Sequence, residues 1–204
     1  MTSQRLLTVL LLLGLLGALL VMPATAQAQY TVRDASRFWI DGTSTVSAFT
    51  CAASEVAGSG TVDEAAMSAA RQADFRAEVV IPVRAFDCGV RQMNRDFYEA
   101  LKGQAYPAVR FALRHAEILP SATASEWTPV KVWGTLTLAG EQRPVTVTAR
   151  GQRLGDGRVR IQGRHALRMT DFDIDPPSGL LGLVRAHDDI VVRFDLIAAA
   201  TGTN

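Results

Sequence analysis

The 204-residue chain is 48% hydrophobic, and its 21 basic and 20 acidic side chains leave a formal net charge of +1. Such a length and apolar content allow one domain with a sizeable core and exclude a disordered chain. The near-balance of charge excludes the basic footprint by which proteins hold nucleic acid.

Residues 6–21 form a leucine-rich apolar run, preceded by Arg5 and followed by Met22, Pro23 and the small residues Ala24, Thr25 and Ala26. A basic end, an apolar run and a small-residue site in that order make a secretory signal peptide. We expect it over residues 1–26, cut after Ala26 or after Ala28, with residues 27–204 as a single mature domain. The run, about 16 residues, is shorter than the ~20 that cross bilayer hydrocarbon, so no membrane anchor is expected after cleavage. Such a leader sends the chain to an oxidising compartment.

From Tyr30 onward the pattern has a period of two. Phe38 and Ile40 alternate with Arg37 and Trp39, and Phe49, Cys51 and Ala53 alternate with Thr50 and Ala52. Residues 42–47 and 57–60, small and polar, are expected to be turns. Residues 62–71 are alanine-rich and fit a weak helix, a loop or a poor strand equally. Phe75, Ala77, Val79, Ile81 and Val83 then share one face, with Arg76, Glu78 and Arg84 on the other.

Cys51 and Cys88 are the two cysteines. In an exported chain an even count reads as a bridge, stabilising by about 4 kcal/mol on the chain-entropy model. A redox pair or a metal site would ask for a CxxC or a nearby histidine, and neither is present.

One helix is expected from Met93 to Gly103. Asn94 reads as its N-cap, Asp96 complements the dipole in the first turn, and Met93 with Tyr98 forms a hydrophobic staple. Phe97 and Leu101 share a face, and Lys102 with Gly103 at C′ makes the end. A helix closing one end of a barrel with Phe97 and Leu101 would leave ligand to enter at the other.

Pro107 stops the helix and opens a strand with Val109, Phe111 and Leu113 inward, and His115 inward by parity. After a loop over residues 120–128, Val130, Val132, Gly134, Leu136 and Leu138 share one face against Lys131, Trp133 and Thr135. Residues 139–144 turn the chain into Val145, Val147 and Ala149, and Gly155-Asp156-Gly157 is a second tight turn. Val159 and Ile161 follow, with His165 on the same parity, and Ile190, Val192, Phe194 and Leu196 form the last strand. These strands, about eight and mostly up-and-down, fit an all-β antiparallel barrel with one short helix or a two-sheet sandwich; their length and the removal of exposed edges by closure favour the barrel.

Asp171, Asp173 and Asp175 alternate, but an EF-hand loop needs a glycine at its sixth place and an acid at its twelfth, and Pro176 and Gly182 stand there. His187-Asp188-Asp189 reads as a solvated turn before the last strand. Residues 176–184 are an apolar stretch expected to pack on the barrel end, with an apolar lip at the entrance as the alternative. No GxSxG, HExxH or phosphate-binding glycine loop occurs. We therefore expect no enzyme, no cofactor and no metal site. Inward faces this apolar imply either a filled core or a greasy pocket, and the residues expected to hold a lipid in such a pocket are Phe38, Ile40, Phe49, Val79, Ile81, Phe97 and Leu101 in the first half of the domain. Phe111, Leu113, Leu136, Val145, Val147 and Phe194 complete them in the second.

Several stretches give the chain a family resemblance. They are residues 36–45, Arg95-Asp96, Tyr106-Pro107-Ala108-Val109-Arg110-Phe111, residues 134–140 leading to Arg143-Pro144-Val145-Thr146-Val147, and Met169-Thr170-Asp171-Phe172 with Ile174. In their order and spacing the chain resembles the YceI-like family of bacterial periplasmic proteins, departing at Tyr98, where members often carry histidine. The resemblance implies a lipocalin-like barrel that carries a polyisoprenoid or similar amphiphilic lipid. A homodimer is compatible with it. The alternative is a non-catalytic envelope stability or protein-interaction module with a filled barrel, suggested by the outward Trp39 and Trp133.

Overall fold

Alternating apolar residues become strands because a pleated chain can bury one face only by curling round it or by finding a second sheet. The computed structural model describes residues 27–120, 126–179 and 183–201. The expected leader, most of the 120–128 loop, and Leu180 and Leu181 of the 176–184 stretch lie outside the described residues.

In chain order the elements are β1 (Gln27–Val32), β2 (Arg37–Ser44), β3 (Ala48–Ala53), β4 (Ala57–Asp63), α1 (Glu64–Ala70), β5 (Gln72–Pro82) and β6 (Phe86–Asp87). Then come α2 (Arg91–Ala100), β7 (Ala108–Ile118), β8 (Thr128–Leu138), β9 (Glu141–Arg153), β10 (Val159–Arg168), β11 (Ser178–Gly179) and β12 (Val184–Ala200). All pairings are antiparallel. β12 pairs with β10 along one side, from Arg168↔Asp189 to Val159↔Ala198. Along its other side it meets β2, from Ser44↔Ala186 to Arg37↔Asp195, and then β1, from Val32↔Ala198 to Tyr30↔Ala200.

β1 and β2 are thus one interrupted strand. Across the break the Arg33 N–H donates to the Ile197 carbonyl at 2.8 Å, and the Ile197 N–H donates to Ser36 Oγ at 2.9 Å. β3 with β4, and β5 with β6, are interrupted in the same way, since β1 pairs with β4, β2 with β3, β4 with β5 and β3 with β6. Counting each interrupted pair once, eight staves close into an antiparallel barrel as expected.

Several local expectations change. Residues 42–44 continue β2, and residues 57–60 are strand: a Cβ on Gly60 would overlap that of Ala77 on β5, so glycine serves close approach here, not a turn. Residues 64–70 form α1. The β8–β9 turn is only Ala139-Gly140, both at positive φ (52° and 91°), with Leu138 opposite Glu141.

Helix α2 starts earlier than expected, with Val90 at the N-cap and no side-chain cap. Asn94 instead sits inside the helix and reaches back. Its Oδ1 accepts from the Cys88 N–H at 2.7 Å, and its Nδ2 donates to Asp87 at 3.0 Å. Asp96 is consequently past the first turn. Tyr98 is no staple either, as its hydroxyl donates to the Phe86 carbonyl at 2.6 Å. At the C-terminus the Lys102 N–H donates to the Glu99 carbonyl (2.8 Å) and the Gly103 N–H to the Tyr98 carbonyl (2.9 Å), a Schellman arrangement. The left-handed residue is Lys102, at φ 52°, one position before Gly103. Gly103 is needed for space, since a Cβ there would lie 2.8 Å from Val83 Cγ1.

His115 does not face inward. The register shifts between Leu113 and His115 against β8, and between Asp74 and Ala77 against β7, so parity changes and Ala116 takes the buried place. His115 Nδ1 lies 2.9 Å from Asp74 Oδ1 outside the barrel, with the imidazole against the Trp133 ring. Residues 169–172 are a 3-10 turn, with Phe172 and, beyond it, Ile174 buried. Asp171 pairs with Arg168 and Asp173 with Lys102. His187 and Asp188 lie within β12, beside its bulge, not in a preceding turn: Thr43 Oγ1 is 2.8 Å from His187 Nδ1, and Asp188 accepts from the Thr170 N–H and hydroxyl.

Candidate functional site

The inward faces do not fill the barrel. They enclose a cavity of about 790 Å³, a volume within the range of small-molecule sites. All thirteen residues expected to face a ligand line it: Phe38, Ile40, Phe49, Val79, Ile81, Phe97, Leu101, Phe111, Leu113, Leu136, Val145, Val147 and Phe194. Tyr30, Phe75, Met93, Ile161 and Val192 line it too, as does Met67 of α1. Most of these obey the same alternation and could have been singled out. Met67 could not, because its segment carries no decisive period.

The outer face is charged, with ion pairs between Arg160 and Asp195, Arg193 and Asp41, and Arg110 and Glu78. Apolar inside and charged outside is the reverse of a membrane-spanning barrel. Among the described residues no helix is long and apolar enough to cross a membrane.

Helix α2 covers one end of the cavity unevenly. Leu101, near its C-terminus, is buried in a cluster with Val83, Phe86, Leu138, Phe172 and Ile174, and Phe97 packs on Phe86 with ring centroids 5.1 Å apart. Residues Val90, Gln92, Met93 and Asp96 of the N-terminal half instead border the cavity, together with Val46 and Ser47 of the β2–β3 turn and Pro177, Gly179 and Val184. Val46 is 68% exposed and Val90 54%. The cavity therefore reaches solvent beside α2, and the expectation that ligand enters only at the end opposite the helix does not hold.

A closed eight-stave barrel, an apolar cavity and a partial helical cover coincide with a sequence profile of the YceI-like domain matched over residues 22–198. The chain belongs to the YceI-like family. Its fold is similar to that of BcnA from Burkholderia cenocepacia, with a TM-score of 0.63 at 20% identity over 81% of this chain and 98% of that one. It is also similar to a polyisoprenoid binding domain from Saccharophagus degradans implicated in plant cell wall breakdown, with a TM-score of 0.61 at 16% identity over 84% and 98% of the two chains. At such identities the likeness is one of fold. A comparison with curated proteins found no match.

Within this YceI-like barrel, Cys51 and Cys88 are joined in a disulfide across 37 positions. It ties β3 to the loop that launches α2, and Cys51 is itself part of the cavity wall. Beside it the Asp87 carboxyl is held below the usual carboxylate range by the Asn94 amide and the Gly89 N–H. His165, on β10, is a half-buried titratable side chain in the wall and, as its parity indicates, faces in. Burial pushes its imidazole below the ordinary histidine value, favouring the neutral ring. Among the described residues no three histidine, cysteine or acidic side chains gather to hold a metal ion.

Proposed function

We propose that this chain is an exported periplasmic carrier that holds an amphiphilic lipid of the polyisoprenoid class in its barrel. The observation that carries the proposal is the open cavity of about 790 Å³ walled almost entirely by aliphatic and aromatic side chains. Membership of the YceI-like family and the polyisoprenoid-binding description of the Saccharophagus relative support it. The sequence pattern of residues 1–26 supports export, and the disulfide suits an oxidising compartment. The thirteen wall residues would hold the hydrocarbon, and His165 would offer the chain a hydrogen-bonding group. No step of chemistry is included.

An open interior argues against a barrel filled for stability alone. Outward Trp133 has local neighbours, the His115 ring and the Lys131 ammonium 5.1 Å from its centroid, so it needs no partner protein to explain it. Solvent extraction of the purified protein followed by mass spectrometry is expected to release a long-chain isoprenoid, and emptied protein is expected to take up added isoprenoid. Failure of both would overturn the proposal.

A further inference from the structure

Four large apolar side chains are strongly exposed among the described residues. Tyr106 is one, and it packs on Gly140. The other three lie on three segments distant in sequence: Val46 in the β2–β3 turn and Val90 at the N-cap of α2 border the cavity, and Leu183, 79% exposed, immediately precedes Val184, which borders it too. Val46 and Val90 project from anchored backbone. The turn is fastened to β12 by the Thr45 N–H on the Arg185 carbonyl (2.9 Å) and internally by Ser44 Oγ on the Ser47 carbonyl (2.9 Å). Val90 is two residues from the disulfide, and its carbonyl accepts from the Asn94 N–H at 2.9 Å. An anchored apolar rim continuous with an apolar cavity is a surface prepared to leave water.

Arginines accompany these residues. Arg91 follows Val90, Arg95 lies one turn further along α2, and Arg185 lies two positions after Leu183. Arg91 and Arg185 make no ion pair among the described residues. Asp96 also borders the cavity, where Gln92 Nε2 donates to it at 2.7 Å, and on its far side it shares an adjoining cleft with Glu99 and Asp175, so the acidic groups gather on that one flank of the rim. With a whole-chain charge of only +1, this is a local feature of the rim.

We infer that this rim seats on the surface of an anionic lipid bilayer, with Val46, Val90 and Leu183 entering the headgroup layer and Arg91 and Arg185 meeting lipid phosphates. The inference rests on the carrier reading. A protein seated on the same rim would cover the opening, whereas a bilayer is itself the source or destination of a lipid, so the tail passes along apolar surface throughout.

The test is co-sedimentation of residues 27–204, whose sheet closes within itself, with mixed vesicles of phosphatidylethanolamine and phosphatidylglycerol, and with vesicles of phosphatidylcholine. Binding to the anionic vesicles is expected, weaker with phosphatidylcholine and weakened by added salt. Arg91→Gln with Arg185→Gln should weaken it about thirtyfold, and Val46→Ser, Val90→Ser and Leu183→Ser together by about a hundredfold. Both variants should melt with the parent. Failure of the parent to sediment with anionic vesicles would overturn the inference, as would either variant binding like the parent, or a binding partner that proves to be a protein. Uptake of detergent-dispersed isoprenoid, measured in parallel, separates the two readings. Uptake without vesicle binding removes the docking and leaves the carrier, and vesicle binding without uptake does the reverse.

Discussion

The two halves of α2 face the same barrel end and do opposite things. Its C-terminal half delivers Leu101 into a packed cluster in which Phe86 and Val83 are each 1% exposed. Its N-terminal half leaves Val90 in solvent and Met93 on the wall of an open cavity. The chemistry of the side chains is similar on both sides, so the difference lies in what each half is opposed by. Val83, Leu138, Phe172 and Ile174 close against the first, whereas the second shares the cavity border with the β2–β3 turn, Pro177, Gly179 and Val184. A single helix is therefore both a plug and part of a rim.

The largest effects should come from the packed half. Phe86→Ala removes a fully buried ring that contacts both Phe38 and Phe97, and a loss of about 4 kcal/mol is expected in chemical denaturation. A loss under about 1 kcal/mol would mean that this end is not tightly packed. Next comes the strap that fastens the start of α2 to β3: Cys51→Ser with Cys88→Ser should lower stability by about 2 to 4 kcal/mol while lipid uptake remains measurable below the melting temperature. A double variant as stable as the parent would show that the bridge contributes nothing.

A matched pair of substitutions sharpens the contrast further. Val83→Phe, in the packed half, should cost about 1–3 kcal/mol through overpacking. Val79→Phe, on the cavity wall, should cost less than about 1 kcal/mol yet reduce the lipid held, because the added ring occupies open volume. Equal costs, or an unchanged lipid load, would count against an open interior.

The smallest effect expected is a pH dependence centred on His165. Its folded-state pKa is lowered by burial, so the unfolded chain binds that proton more readily than the folded one. Its contribution is intact above the ordinary histidine value of about 6.5 and declines as the pH falls through that value toward the folded pKa. Asp195 is shifted down by Arg160 and Gln162, and its contribution is lost only on descent below about 3.9, outside that window. Melting temperatures between pH 7.5 and pH 5 should therefore fall less for His165→Leu than for the parent, and parallel curves would assign the slope to another group.

The wall was legible from sequence because inward residues recur at every second place while pairing stays in register. Phe111, Leu136 and Val147 need nothing beyond that rule. His115 shows where it stops: a bulge depends on the partner strand, and one shift sends every later residue to the opposite face. Gly58 and Gly60 misled through composition, since the contact that demands glycine at position 60 is with Ala77 on another strand. Asn94 looked like a cap because its chemistry suits one, yet the same oxygen found the Cys88 N–H from inside the helix. The opening was the least legible feature, because Val46, Val90 and Val184 border one cavity only after the barrel has closed.

Closure itself has a consequence for when the cavity can exist. The seam joins β1 to the end of β12 through Tyr30↔Ala200, Thr31↔Ala199 and Val32↔Ala198, and β12 is also the partner of β2 and of β10. A chain that emerges N-terminus first thus offers β1 and β2 long before their partner arrives, and local hairpins such as β8–β9 must form around an unclosed sheet. The interior is assembled last, by the final strand. A nascent chain lacking residues beyond 183 has every other stave but no enclosed space, so its apolar face is most in need of shelter just before β12 emerges.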